Sequence, residues 1–163
     1  MNASAFRHFY EYHFRENRKI WESYVACMSY DQFTQPAAYS HGSVRDQLIH
    51  LMDVEDAWFS ELQNLAPLEP VPPASSDDRD VLRLRWDRIE QRMRAYLAGL
   101  QDDMLSSKPI IEPEEDQDLA TWQVLLHVAN HATDHRAQLL RQLNDLGVET
   151  EPQDYIFFVY DNL

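Results

Sequence analysis

Apolar residues recur at spacings of three and four along most of the chain, and the recurrence falls into four long segments that each predict an amphipathic helix. The first runs from about Ala5 to Met28, with Phe6, Tyr10, His13, Ile20 and Tyr24 along one stripe, and Pro36 lies beyond its end. The second begins where Gly42 and Ser43 offer an N-cap and continues to about Leu65, with Val44, Leu48, Leu51, Trp58 and Leu62 on its apolar side. Pro67, Pro70, Pro72 and Pro73 then stop it. Ser75 or Ser76 is expected to cap a third helix, whose positive N-terminal dipole suits Asp77, Asp78 and Asp80. Its stripe is Leu82, Trp86, Ile89, Met93, Tyr96 and Leu100, and it should end near Met104. An acidic connector from Pro109 to Asp118 leads to a fourth helix from about Leu119 to Leu146, closed by Gly147 as a C-cap.

The pattern predicts an all-α chain of one domain, residues 1–163, folded as an antiparallel four-helix bundle. Up-down-up-down is the simplest order, although the connectors are longer than bundle loops usually are. The segment YIFFVY, Tyr155 to Tyr160, is too apolar for water and rich in strand-forming residues. It is expected to be an extended tail packed on the bundle or on a partner chain.

Composition narrows the function classes. Only Gly42, Gly99 and Gly147 are present, far apart, so phosphate-cradling loops and a GxSxG nucleophile elbow cannot be built. With 28 acidic and 14 basic residues the formal charge is -14, which repels nucleic-acid phosphate and anionic membrane surfaces. Neither is expected as a partner. Cys27 stands alone, without a disulfide or CxxC partner. The N-terminal stretch carries Arg7, Glu11, Arg15 and Glu16 where a signal peptide needs an apolar run, so a cytoplasmic location is expected.

Of seven histidines, His127, His131 and His135 fall on the fourth helix at successive spacings of four. Each step of four turns a helix by about 400°, so neighbours lie one turn apart, offset by roughly 40°. Either adjacent pair can present two imidazole nitrogens to one metal ion, and a third ligand must come from another helix. His50, mid-way along the second helix beside Leu51, is the candidate. An isolated HxxxH pair more often has no metal role, and His8, His13 and His41 read as structural or solvent-facing. No Glu stands three residues before any His, which disfavours a dinuclear carboxylate site, and HExxH is absent.

The stretch HVANHATDHRAQL resembles the HxxNHxxxHRGQ signature of the DinB-like family of metal-binding four-helix bundles. Upstream, YSHGSVRDQLIHLMDVEDAWFSEL looks like the family's other signature, and LGVETEPQDYIFFVY looks like its C-terminal segment. The resemblance spans almost the whole length. It implies His50, His131 and His135 as the metal ligands and leaves His127 outside the set, a choice that spacing alone leaves open. Ala137 stands where the family usually has glycine, and Asp134 where another histidine is common.

Three neutral imidazoles leave a coordination position open, as in catalytic metal sites. Zinc or nickel suits such ligands. The resemblance implies a thiol S-transferase or a hydrolase acting on a small molecule, with a thiol or an electrophile as partner. The competing readings are a non-catalytic stress-response protein that binds metal or a small ligand, and a scaffold with vestigial histidines. Asp46, Asp53, Glu55 and Asn130 are candidates to orient the ligands' second nitrogens, and Arg136 or Arg45 to bind an anionic substrate group. A homodimer is the expected assembly.

Overall fold

In the computed structural model, which describes residues 1–163, helix boundaries follow capping chemistry. Asn2 starts α1 (Ala3–Lys19) by accepting the Ala5 amide at 2.8 Å. The chain then widens into a π turn (Ile20–Tyr24) and tightens into a 3-10 turn (Val25–Cys27), so the expected helix to Met28 is continuous in path but not in type. Sequence reading missed the short α2 (Tyr30–Thr34), capped by Ser29 and Gln32. Ser43 caps α3 (Val44–Gln63) reciprocally with Asp46. The third long helix, α4 (Arg79–Gly99), is capped by Asp78 rather than Ser75 or Ser76, because Pro73–Ser75 already forms a 3-10 turn. It stops at Gly99, and a separate 3-10 turn covers Asp103–Ser106. The fourth is α5 (Thr121–Asp145), beyond which Gly147 has a φ of 81°.

The predicted stripes form the core. Phe6, Tyr10, His13, Ile20, Leu48, Leu51, Leu82, Ile89 and Met93 are all at most 2% exposed, and all but His13 and Leu51 belong to one continuous apolar cluster.

The pairing of these helices departs from a uniformly antiparallel bundle. Along α1 and α4, Arg18 meets Glu90, Glu11 meets Arg94, and Arg7 meets the Leu97 and Leu100 carbonyls, so these two run antiparallel. Along α3 and α5, His50 meets His131 and Trp58 meets His127, again antiparallel. In contrast, Asp53 meets Arg85 and Asp56 meets Arg92, which makes α3 and α4 parallel. Tyr10 with Leu125 and Asn17 with Arg136 make α1 and α5 parallel. The order is up-down-down-up. Parallel neighbours need a connection that returns the length of a helix, about 30 Å for twenty residues. The proline-rich stretch 64–78 is long enough for that.

The extended tail is also corrected. Tyr155–Tyr160 forms a single short helix, α6. A domain without strands offers an extended segment no edge to pair with, so the backbone bonds locally, as from the Asp161 amide to the Phe157 carbonyl at 3.1 Å. Phe158 is buried, and Tyr155 packs edge-on against Phe9 and Tyr12. No helix is long and apolar enough to cross a membrane.

Candidate metal centre

The antiparallel contact of α3 with α5 brings His50 opposite two consecutive turns of α5. Nε2 of His50 lies 3.2 Å from Nε2 of His131. The His135 ring centroid is 4.6 Å from that of His50 and 4.3 Å from that of His131. The rings of the three residues named from the sequence are thus neighbours, although the set whose ligand nitrogens all lie within 4.8 Å of one another takes His41 with His50 and His135 and leaves out His131. His127 lies one turn away, 5.8 Å from His131 ring to ring, and packs edge-on against Trp58.

His41 was not anticipated. It is exposed in the loop before α3, yet its ring stacks on His50 at 3.6 Å and 15°, and lies 5.0 Å from His135. Ligand nitrogens of His41, His50 and His135 all lie within 4.8 Å of one another. No spacing rule links a loop residue to a helix ligand across a cap, so only the folded geometry exposes this contact.

Electrostatics keeps these imidazoles neutral. Burial, then the neighbouring His41, His135 and His131, pushes the His50 pKa down to about 4. Burial, then His135 and His127, takes His131 down to about 4, against a small opposing pull from Glu55. His135 is lowered too, by burial and then by His41, with Asp134 and Gln138 opposing. At neutral pH each ring has a free lone pair, as a metal ligand requires.

One donor pair also fits a metal ion by a test independent of charge. Two imidazole nitrogens on one tetrahedral zinc stand roughly 3.3 Å apart, given bonds of about 2.0 Å. The 3.2 Å between His50 and His131 matches that spacing and equally suits a shared proton. His135 Nδ1 is buried without any hydrogen-bond partner, a cost that a bound cation would remove.

The expected orienting residues have other work. Asp46 accepts from the Ser43 amide and from Arg45, and Asp53 pairs with Arg85 at 2.8 Å. Glu55 accepts from Trp86 Nε1 and Asn17 Nδ2, each at 2.9 Å, and lies 3.0 Å from His13. Asn130 is exposed and lines a shallow recess beside the cluster with His127, His131, Thr133, Asp134 and Ala137. None of the four hydrogen-bonds to His50, His131 or His135. Nor does either arginine offer an anion site. Arg136 has no exposure and donates to Asn17, Thr133, Gln153 and His13, while Arg45 is held by Asp46 and Asp77.

That buried network has a structural consequence for the centre. Arg136 follows His135 directly, and its bonds to α1 and to Gln153 fix the rotation of α5 that turns His131 and His135 toward His50. The sequence signal was the Arg of the HRAQ motif, which reads equally well as a surface residue.

Comparison with curated proteins finds no match. The DinB family model matches residues 1–162, so the chain, with its helical bundle and converging histidines, belongs to the DinB family.

Proposed function

We propose that this protein is a metal-dependent enzyme with a mononuclear centre held by His50, His131 and His135. The observation that carries this reading is the 3.2 Å contact between the Nε2 atoms of His50 and His131, with the unpartnered Nδ1 of His135 in the same cluster. His50, His131 and His135 would hold a divalent ion, zinc or nickel by donor type, which would supply a lowered pKa to a thiol or water beside it. The chain's part is to hold three neutral nitrogens in place, half-buried, and to leave access from the recess beside His127 and Asn130. A thiol S-transferase acting on a small electrophile is the first activity to test, and hydrolysis of a small molecule the second. The exposed Tyr155, Ile156, Phe157 and Tyr160 support a homodimer, and the acidic surface suits a cytoplasmic protein without a nucleic-acid partner.

The experiment is turnover by the metal-loaded protein with glutathione, bacillithiol or mycothiol and a model electrophile. Metal-dependent product formation supports the transferase, and its absence with every thiol defeats it. The reading as a non-catalytic stress-response protein that binds metal or a small ligand draws on one observation, the presence of His41 against the cluster. A fourth protein donor would close the position that a substrate needs.

A further inference from the structure

His41 is the one histidine of the cluster that no helix holds. It stands between Ser40, at a φ of 54°, and Gly42, at 96°, two left-handed residues that reverse the chain just ahead of α3. The loop is tied to α5 on both sides of His41. Ser40 Oγ donates to Gln138 Oε1, and Gln142 Nε2 donates to the Gly42 carbonyl at 2.9 Å. Gln138 and Gln142 lie one and two turns beyond His135, so the helix that supplies two of the three donors also positions the loop.

The stacked geometry limits what His41 does in this pose. An imidazole lone pair lies in the plane of its ring, and the His41 and His50 rings are within 15° of parallel with their centroids 3.6 Å apart. Both rings cannot direct a lone pair at one ion while stacked, so His41 covers the cluster without ligating it. Its nitrogens nonetheless come within 4.8 Å of those of His50 and His135, and its exposed side leaves the ring room to turn about its side-chain bonds.

We propose that His41 is an exchangeable fourth nitrogen donor of the centre, closing the open position when no small ligand is bound and returning to its stack on His50 when a thiolate takes that position. The proposal rests on His50, His131 and His135 as the resident ligands. An imidazole in the fourth position disfavours weak neutral donors such as water and yields to a soft thiolate, which makes His41 a selector for thiol ligands. It also reconciles a closed resting site with a site able to accept a substrate.

The test uses the full-length protein loaded with cobalt(II), read by visible absorption and X-ray absorption. Wild type should show four nitrogen donors and the intense absorption of a tetrahedral ion. His41→Ala should keep one cobalt and three imidazoles, take up solvent ligands with a weaker band, and lose roughly tenfold or more in cobalt affinity, as even the loss of a ligand's hydrogen-bond partner does. Added 2-mercaptoethanol should give the same thiolate-bound spectrum in both proteins, at lower thiol concentration in the variant. Identical spectra and affinities for wild type and His41→Ala would overturn the proposal and leave the three-histidine centre standing. Failure of wild type to bind cobalt, or cobalt binding by His131→Ala with wild-type affinity, would overturn the centre itself.

Discussion

Oε1 of Glu55 lies 3.0 Å from Nε2 of His13, and both side chains are at most 2% exposed. His13 Nδ1 in turn faces Arg136 Nη1 at 3.3 Å, so a neutral imidazole stands between a buried carboxylate and a buried guanidinium. Burial drives the Arg136 pKa and the His13 pKa down, while Glu55 is held below the usual carboxylate range against its burial by His13, Trp86 and Asn17. This cluster lies in the core among α1, α3, α4 and α5 and sets the frame on which the histidine centre is built.

Removing one partner of such a network leaves an uncompensated buried charge. Arg136→Ala should therefore destabilise the fold by about 3–5 kcal/mol, read as a lower urea midpoint. Glu55→Gln, which keeps the side chain's volume and an oxygen for one of the two donors Trp86 and Asn17 while turning an NH2 toward the other, should lose less. A loss for Glu55→Gln as large as that for Arg136→Ala would contradict this order.

The depressed histidine pKa values give a pH dependence with a definite sign. With His50 and His131 at about 4 when folded and near 6.5 when unfolded, the unfolded chain binds more protons between those values. Their contribution to stability is complete above about pH 6.5 and is lost as pH falls toward 4. Urea unfolding of metal-free protein at pH 7, 6 and 5 should show falling midpoints, with a shallower fall in the double variant His50→Gln, His131→Gln. An unchanged slope in the double variant would show that these histidines titrate normally.

Two glycines separate backbone strain from packing. Gly147 has a φ of 81° and open space where a Cβ would stand, so Gly147→Ala should cost only about 1 kcal/mol, from backbone strain. At Gly42, with a φ of 96°, a Cβ would also meet Asp46 Oδ2 at 3.1 Å, the oxygen that completes the α3 cap. Gly42→Ala should cost more, about 2 kcal/mol, from strain and a weakened cap together. Thermal unfolding of the two variants side by side checks the order.

The stripes of the four long helices were legible because burial at a helix face imposes a spacing that few other constraints can mimic. Ser43 as a cap and Gly147 as a stop were legible for the same local reasons. Helix direction was not. Whether α4 runs with or against α3 depends on the path of residues 64–78, and prolines report only that the helix stops. The tail misled because Ile156, Phe157 and Val159 favour strands on average, whereas Tyr155–Tyr160 had no strand to join. At the centre, His50, His131 and His135 were accessible through a motif resemblance, and the structure brings their rings together. His41 stayed hidden because its place depends on a loop reversal at Ser40 and Gly42 and on hydrogen bonds to Gln138 and Gln142.

Metal content tests the central claim most directly. Wild type and the single variants His50→Ala, His131→Ala and His135→Ala, each shown folded by circular dichroism, are dialysed against zinc and analysed for bound metal. Wild type should retain one equivalent and each variant markedly less. Equal zinc in wild type and His131→Ala would contradict the three-histidine centre.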